Sequence, residues 1–179
     1  HGPVYRTNPR KIIDDYARYS RYAQGAGKRE ITILWGSMYG MTKKAVDFAK
    51  EVLEREGIRY NLLEMPIESD SEMIAKIFKA AGIIIAAPTY EYKLFPPIAS
   101  ALEEVGRKRI TGKAAFRFGS YGWSGGAEKE LKEIHDRNNM KWDFIESVEC
   151  EGAPKEGDIK KIEAGILELI KRMEDRVVE

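Results

Sequence analysis

The feature that most constrains this fold is a regular alternation of short apolar segments and amphipathic segments, which begins at Glu30 and continues almost to the carboxyl terminus. The apolar segments have the length of β-strands, and the amphipathic segments carry apolar residues at helical spacing. Such alternation is typical of βαβ units, in which successive strands lie parallel in one sheet. The sequence therefore predicts an α/β fold with a doubly wound parallel sheet and helices on both faces.

The alternation predicts five strands and five helices, together with a short helix near the amino terminus. The strands are expected at 31–35, 58–64, 83–87, 114–118 and 144–150. The helices are expected at 42–56, 71–80, 97–105, 127–138 and 159–176, and the short one at 14–24. Residues 1–29 are interpreted as an extended arm, this helix and a flexible connection at 25–28, and residues 30–179 as the main domain.

Composition and charge exclude several classes of protein. The net charge is +1, which gives no reason to expect nucleic acid or an anionic membrane as partner. The single cysteine, Cys150, excludes an internal disulfide and a CxxC metal or redox motif. The lone cysteine makes a reducing, intracellular compartment the default, so we expect a cytoplasmic protein. No apolar run is long enough for a membrane span. Abundant Lys, Arg and Glu with one glutamine, Gln24, suit a thermophile.

Three unusual loops follow the first, third and fourth predicted strands. In a sheet with strand order 2-1-3-4-5 these strands are neighbours, and ligands of such sheets bind beyond the carboxyl ends of the strands. The first loop, 37–42, contains the hydroxyls of Ser37 and Thr42 and the glycine Gly40. It leads into a predicted helix, and the start of a helix favours a bound anion. It lacks the Walker pattern, so it fits a monophosphate. A plain strand-to-helix turn with a Ser or Thr cap is the alternative.

The second and third loops place aromatic residues in turns. Tyr90 and Tyr92 lie in the second loop, and Tyr121 and Trp123 lie in the third. Each loop alone is explained by ordinary surface aromatics, but together they favour a flat aromatic ligand held between them. Because the second loop has no glycine, we expect its backbone to avoid positive φ. A phosphate-binding loop beside two aromatic loops that can hold a flat ring is the arrangement expected of a flavin mononucleotide (FMN) site.

The segments "GSMYGMTKKA", "APTYEYKLFPP" and "FGSYGWSGGAEKEL" resemble the flavodoxin-like, FMN-binding C-terminal domain of the flavodiiron proteins, also called A-type flavoproteins. The resemblance extends over nearly the whole chain and includes "HGPVYR" at its start. It implies a flavodoxin-like fold and an FMN-binding electron-transfer domain. The cofactor-binding residues that it implies are Ser37, Met38, Tyr39, Gly40, Met41, Thr42, Pro88, Thr89, Tyr90, Glu91, Tyr92, Ser120, Tyr121, Gly122, Trp123 and Gly125. Met41 departs from the family, which more often has a small polar residue there.

The resemblance also implies partners for this domain. Flavodiiron proteins reduce O2 or NO at two irons in a metallo-β-lactamase-like domain, and FMN delivers the electrons, usually within a head-to-tail dimer. We therefore expect a di-iron domain in cis or as a subunit, a donor such as rubredoxin or a flavin reductase, and a homo-oligomer. Residues 1–29 would be the remnant of the junction to that domain. His1 matches the last histidine ligand of the iron site, but the other ligands are absent, so we expect no metal site in this chain.

Other functions remain open at this point. The chain could be a free-standing flavodoxin-type electron carrier, although such carriers usually have an acidic surface. It could be an NAD(P)H:quinone reductase of flavodoxin-like fold, which needs room for nicotinamide over the ring. A phosphate-binding module or a receiver domain is a further alternative, but a receiver needs an acidic cluster that Trp35-Gly36-Ser37 does not provide. No catalytic side-chain arrangement is apparent in any of these cases.

Overall fold

One parallel sheet forms the centre of the protein in the computed structural model, which describes residues 4–178. Its strand order is β2-β1-β3-β6-β7, and β8 also pairs with β6 in parallel. The strands are β1 (Lys28–Trp35), β2 (Arg59–Glu64), β3 (Ala80–Ala86), β6 (Ala114–Tyr121), β7 (Asp143–Phe144) and β8 (Val148–Glu151), and a separate hairpin consists of β4 (Thr89–Tyr90) and β5 (Lys93–Leu94). The predicted α/β class and the order 2-1-3-4-5 are confirmed.

Helices cover both faces of this sheet. They are α1 (Pro9–Ala23), α2 (Met41–Arg55), α3 (Asp70–Lys79), α4 (Pro96–Arg107), α5 (Ala127–Arg137) and α6 (Glu156–Glu174). Apolar residues of α2 and α6 form one buried cluster with the sheet, and those of α3, α4 and α5 form a second cluster on the opposite face. Because β3 is buried along its whole length, its seven residues read as a continuous apolar run rather than an alternating one. Across residues 4–178, every helix is too short or too polar to cross a membrane.

The amino-terminal segment differs from the prediction. Helix α1 begins at Pro9 and not at residue 14, because proline suits the first helical position and the Asn8 side chain accepts a hydrogen bond from Lys11 N at 3.2 Å. The 25–28 connection, predicted to be flexible, is hydrogen-bonded to the segment after α6. Gly27 N donates to Arg176 O and Gly27 O accepts from Val178 N, which fixes the connection beside the end of α6. His1 lies outside the described residues.

Three further differences concern the fifth strand, the start of α3 and the loop after β3. The predicted fifth strand is interrupted at residues 145–147, so β7 and β8 pair with successive parts of β6. Helix α3 is capped by Ser69 and begins at Asp70, one residue before the predicted start at residue 71. The loop after β3 is not irregular but contains the β4–β5 hairpin. The loops after β1, β3, β6 and β8 all leave the same edge of the sheet, and the candidate site lies there.

Candidate functional site

A cavity of about 550 Å³ lies at the carboxyl ends of β1, β3, β6 and β8. This volume is within the range of small-molecule sites. The lining comes from the three loops that the sequence singled out and from one residue after β8. The lining residues are Met38, Tyr39, Met41, Pro88, Thr89, Tyr90, Glu91, Tyr92, Ser120, Tyr121, Gly122, Trp123, Ser124 and Gly152. The structure thus brings the three loops together around one space.

Four of the predicted site residues are absent from this lining: Ser37, Gly40, Thr42 and Gly125. Two lining residues were missed, Ser124 and Gly152. Ser124 lies within the segment "FGSYGWSGGAEKEL", so the sequence pattern could have identified it as a lining residue. Gly152 follows β8, and the order 2-1-3-4-5 already places the end of the fifth strand beside the end of the fourth. That order was a usable signal for Gly152.

The first loop leads into α2, so the start of this helix lies at the carboxyl edge of the sheet, beside the cavity. Gly40 occupies the N-cap position with φ +79°, a conformation that favours glycine, and no side chain caps the helix. The first turn of α2 has no acidic residue. Its first N–H groups lack intrahelical acceptors, as at every helix start, and so can bind an anion. The Ser37 hydroxyl accepts a hydrogen bond from Gly40 N at 3.0 Å, which orders the loop and leaves the hydroxyl proton available as a donor.

The second loop is a two-residue hairpin with an unexpected backbone. Glu91 and Tyr92 have φ values of +47° and +63°, so the expectation that this loop avoids positive φ is wrong. A two-residue connection between antiparallel strands favours positive φ at both central positions, because that turn matches the strand twist. The hairpin is anchored from outside: Leu94 N donates to Glu130 Oε2 of α5 at 2.7 Å.

The third loop packs closely on its neighbours. A Cβ placed on Gly126 would lie 2.2 Å from the Tyr92 carbonyl oxygen, so the hairpin turn contacts the backbone before α5. A Cβ on Gly125 would lie 2.3 Å from Glu149 Oε2. Gly125 therefore faces Glu149 at this point and does not line the cavity. The first of these contacts joins the second and third loops, and the second joins the third loop to β8.

The aromatic side chains around the cavity are exposed. Tyr39 is 84% exposed, Tyr92 is 75% exposed, and Trp123 is fully exposed. Isolated exposed aromatics are common, but these three line one concave space together with Tyr90 and Tyr121. A planar apolar ligand between the loops would cover this surface.

The polar groups of the cavity also suit a ligand. Thr89 lines the cavity, and its hydroxyl is buried without a hydrogen-bond partner among residues 4–178. Buried hydroxyls normally have partners, so this one suits a polar ligand edge. In the same part of the chain, no three His, Cys, Asp or Glu side chains lie close enough together to hold a metal ion. The groups around the cavity are therefore hydroxyls, backbone N–H groups, aromatic rings and the Glu91 side chain.

Both the sequence and the fold of this chain have known relatives. No family model matches the chain. The nitric oxide reductase of Moorella thermoacetica is 30% identical to it over 133 residues, which is 74% of this chain and 33% of that protein. The chain thus spans about a third of the length of this curated relative.

Solved structures agree with this match. A mutant flavo-diiron protein from Thermotoga maritima aligns with a TM-score of 0.81 at 25% identity, over 97% of this chain and 42% of that one. A flavodoxin from the domain Archaea aligns with a TM-score of 0.68 at 19% identity, over 81% of this chain and 99% of that one, which shows the fold. The chain belongs to the family of flavodoxin-like domains found in flavodiiron proteins.

Proposed function

We propose that the chain binds FMN in the cavity and passes electrons from a reduced donor to a di-iron site that reduces O2 or NO and is carried elsewhere. The observation that supports this most directly is the meeting of three loops around one cavity. An uncapped helix start lies on one of them, and exposed aromatic rings line the other two. No single loop would distinguish such a site from an ordinary turn.

The residues present fit an FMN molecule. Its phosphate would be held by the N–H groups at the start of α2 and by the Ser37 hydroxyl, with Gly40 allowing close backbone approach. Its planar ring would lie between the hairpin and the third loop, covering Tyr92 and Trp123. The buried Thr89 hydroxyl would gain a partner at the polar edge of the ring. The flavin itself supplies the electron transfer.

The protein's own residues bind and orient the ring and set its electrostatic surroundings. Glu91 lines the cavity, and its carboxylate would disfavour added negative charge on a bound ligand. Apolar rings around the cavity would exclude water from the ligand. The aromatic and hydroxyl groups need no proton-transfer role for this function.

The electron acceptor is proposed to lie outside residues 4–178. Within these residues no cluster of metal-ligating side chains is found. A longer relative is named nitric oxide reductase, and the chain spans only part of its length. These facts support a di-iron domain in the same polypeptide or in a partner subunit. A small redox protein such as rubredoxin, or a flavin reductase, would be the donor.

A second candidate function is that of a free electron carrier. The observation in its favour is that the aligned archaeal flavodoxin is matched over 99% of its length. The two functions share the cofactor and differ in the acceptor. They are separated by whether the reduced protein delivers electrons to one di-iron domain or to several unrelated acceptors.

The experiment that tests the proposal is a titration of the purified protein with FMN and with riboflavin, followed by absorbance and fluorescence quenching. We expect a one-to-one complex with FMN and weaker binding of riboflavin, which has no phosphate to contact the start of α2. Leu167→Ala, an exposed position on α6, is the matched control and should bind FMN normally. Failure to bind FMN would refute the proposal, and equal affinity for both ligands would refute the phosphate site.

A further inference from the structure

A buried ion pair lies beside the cavity and outside its lining. Arg117 is completely buried in β6, and its Nη1 donates to Glu149 Oε1 of β8 at 2.7 Å. The glutamate side chain is 27% exposed. An arginine inside the central strands of a sheet is unusual, because burial of a charge is costly without a partner. The position of this ion pair inside the sheet therefore requires an explanation.

Its contacts reach the second and third loops. Arg117 Nη2 donates to the carbonyl oxygen of Ala87 at 3.4 Å, and Ala87 directly precedes Pro88, the first lining residue of the second loop. On the other side, Glu149 Oε2 lies 2.3 Å from the position of a Cβ on Gly125 in the third loop. The two side chains thus form one connection from the start of the second loop to the middle of the third.

Stability does not explain this arrangement well. Replacing a buried ion pair with apolar residues of similar volume is often neutral or stabilising. Here the pairing is also incomplete, because Arg117 Nε is buried without a partner in the described part of the chain. An apolar pair would fill the same space without this unsatisfied group. The hydrogen bond from Arg117 to the Ala87 carbonyl oxygen, and the ion pair that orients Glu149 against Gly125, are what an apolar pair could not reproduce.

We propose that Arg117 and Glu149 are positioning residues that fix the separation of the second and third loops, and so set the width of the cavity for a planar ring. This inference rests on the proposed function, since it assigns the pair a role in the same site. Arg117 acts through the Ala87 carbonyl, and Glu149 acts through its contact with Gly125. Neither residue lines the cavity.

The test is the double variant Arg117→Met with Glu149→Leu, which removes both charges together and leaves no unpaired ion. We expect it to unfold at a temperature no lower than the wild type but to bind FMN about 10-fold or more weakly, equivalent to about 1.4 kcal/mol. Hydrogen exchange of the ligand-free protein should be faster at residues 89–92 and 120–125. The matched control is Lys113→Met, which replaces another fully buried basic side chain, just before β6 and outside the cavity lining, and should leave FMN affinity unchanged.

The outcomes separate this inference from the proposed function. A wild type that fails to bind FMN refutes the function. A wild type that binds FMN, with a folded double variant of equal affinity and unchanged exchange, overturns only the role of the pair. If the double variant does not fold, Glu149→Gln, which keeps an acceptor for Arg117, is compared with Glu149→Ala. Near-normal FMN affinity in the first and about 10-fold weaker binding in the second support the inference; equal affinities overturn it.

Discussion

The hydroxyl of Thr42 lies 2.9 Å from the hydroxyl of Ser120, so the first turn of α2 is hydrogen-bonded to the end of β6 across 78 residues of sequence. Thr42 is 1% exposed, and Ser120 lines the cavity. This bond joins the loop proposed for the phosphate to the loop proposed for the ring. The two halves of the site are therefore held together directly.

Thr42→Val tests this connection. Valine keeps the volume and removes the hydroxyl, so we expect a loss of about 1 kcal/mol in the free energy of unfolding and weaker FMN binding. Urea denaturation and FMN titration measure the two effects. Thr42→Ser keeps a hydroxyl and should retain most of the FMN affinity; a serine variant as weak as the valine variant would contradict the role of the bond.

Glu130 provides a second connection, from α5 to the hairpin. Glu130→Gln keeps an oxygen acceptor for Leu94 N but removes the charge, and Glu130→Ala removes the acceptor. A hydrogen bond to a charged group contributes about 1.5–3 kcal/mol, so we expect the alanine variant to bind FMN more weakly than the glutamine variant. Hydrogen exchange at Leu94 N is the direct measurement. An unchanged exchange rate in the alanine variant would show that the hairpin is held by other contacts.

Much of the fold and the general location of the site could be predicted from the sequence, since strand length, helical spacing and strand order are set by local patterns. The loops after β1, β3 and β6 were found in this way. The hairpin was missed because Glu91 and Tyr92 reach positive φ without glycine, so the residue types gave no signal. The contacts of Glu130 and Arg117 were missed because they join residues 30 to 36 positions apart.

Gly119 of β6 packs closely on the backbone of Ala87, the residue directly after β3. A Cβ there would lie 1.7 Å from the Ala87 carbonyl oxygen, which is backbone and cannot move aside. We therefore expect Gly119→Ala to be severely destabilising, by about 3 kcal/mol or more, or not to fold. Gly122→Ala is the matched control in the next loop, where a Cβ meets no atom within 4 Å. Thermal unfolding of both variants checks the prediction, and similar melting temperatures would contradict it.

Glu91 is expected to influence the reduction potential of a bound flavin. Glu91 lines the cavity, and a carboxylate directed toward a ligand there would oppose the addition of an electron to it. Glu91→Gln keeps the size of the side chain and removes the charge, so we expect the midpoint potential of bound FMN to rise. Glu128→Gln removes an exposed carboxylate of α5 outside the cavity lining and serves as the control. Equal potentials in the Glu91 variant and the wild type would show that the carboxylate lies too far from the ring.

Lys113 should make stability depend on pH. The lysine is fully buried at the start of β6, where its Nζ donates to Ala26 O at 2.6 Å and to Phe78 O at 2.9 Å. Burial lowers the pKa of Lys113 from 10.5 to about 7. Between these two pH values the unfolded chain binds a proton that the folded protein has released, so this residue makes the folded state more stable as pH rises, by up to about 1.4 kcal/mol per pH unit.

Lys113→Met removes this titration, and its difference from the wild type can be measured by urea denaturation at pH 6, 7, 8 and 9. Below pH 7 the lysine is protonated in both states, so the difference in unfolding free energy between wild type and variant should be constant there. Above pH 7 the wild type should gain stability relative to the variant. Lys171→Met, at an exposed position on α6, should follow the pH dependence of the wild type. A Lys113→Met profile parallel to the wild type from pH 7 to pH 9 would mean that Lys113 stays charged in the folded protein.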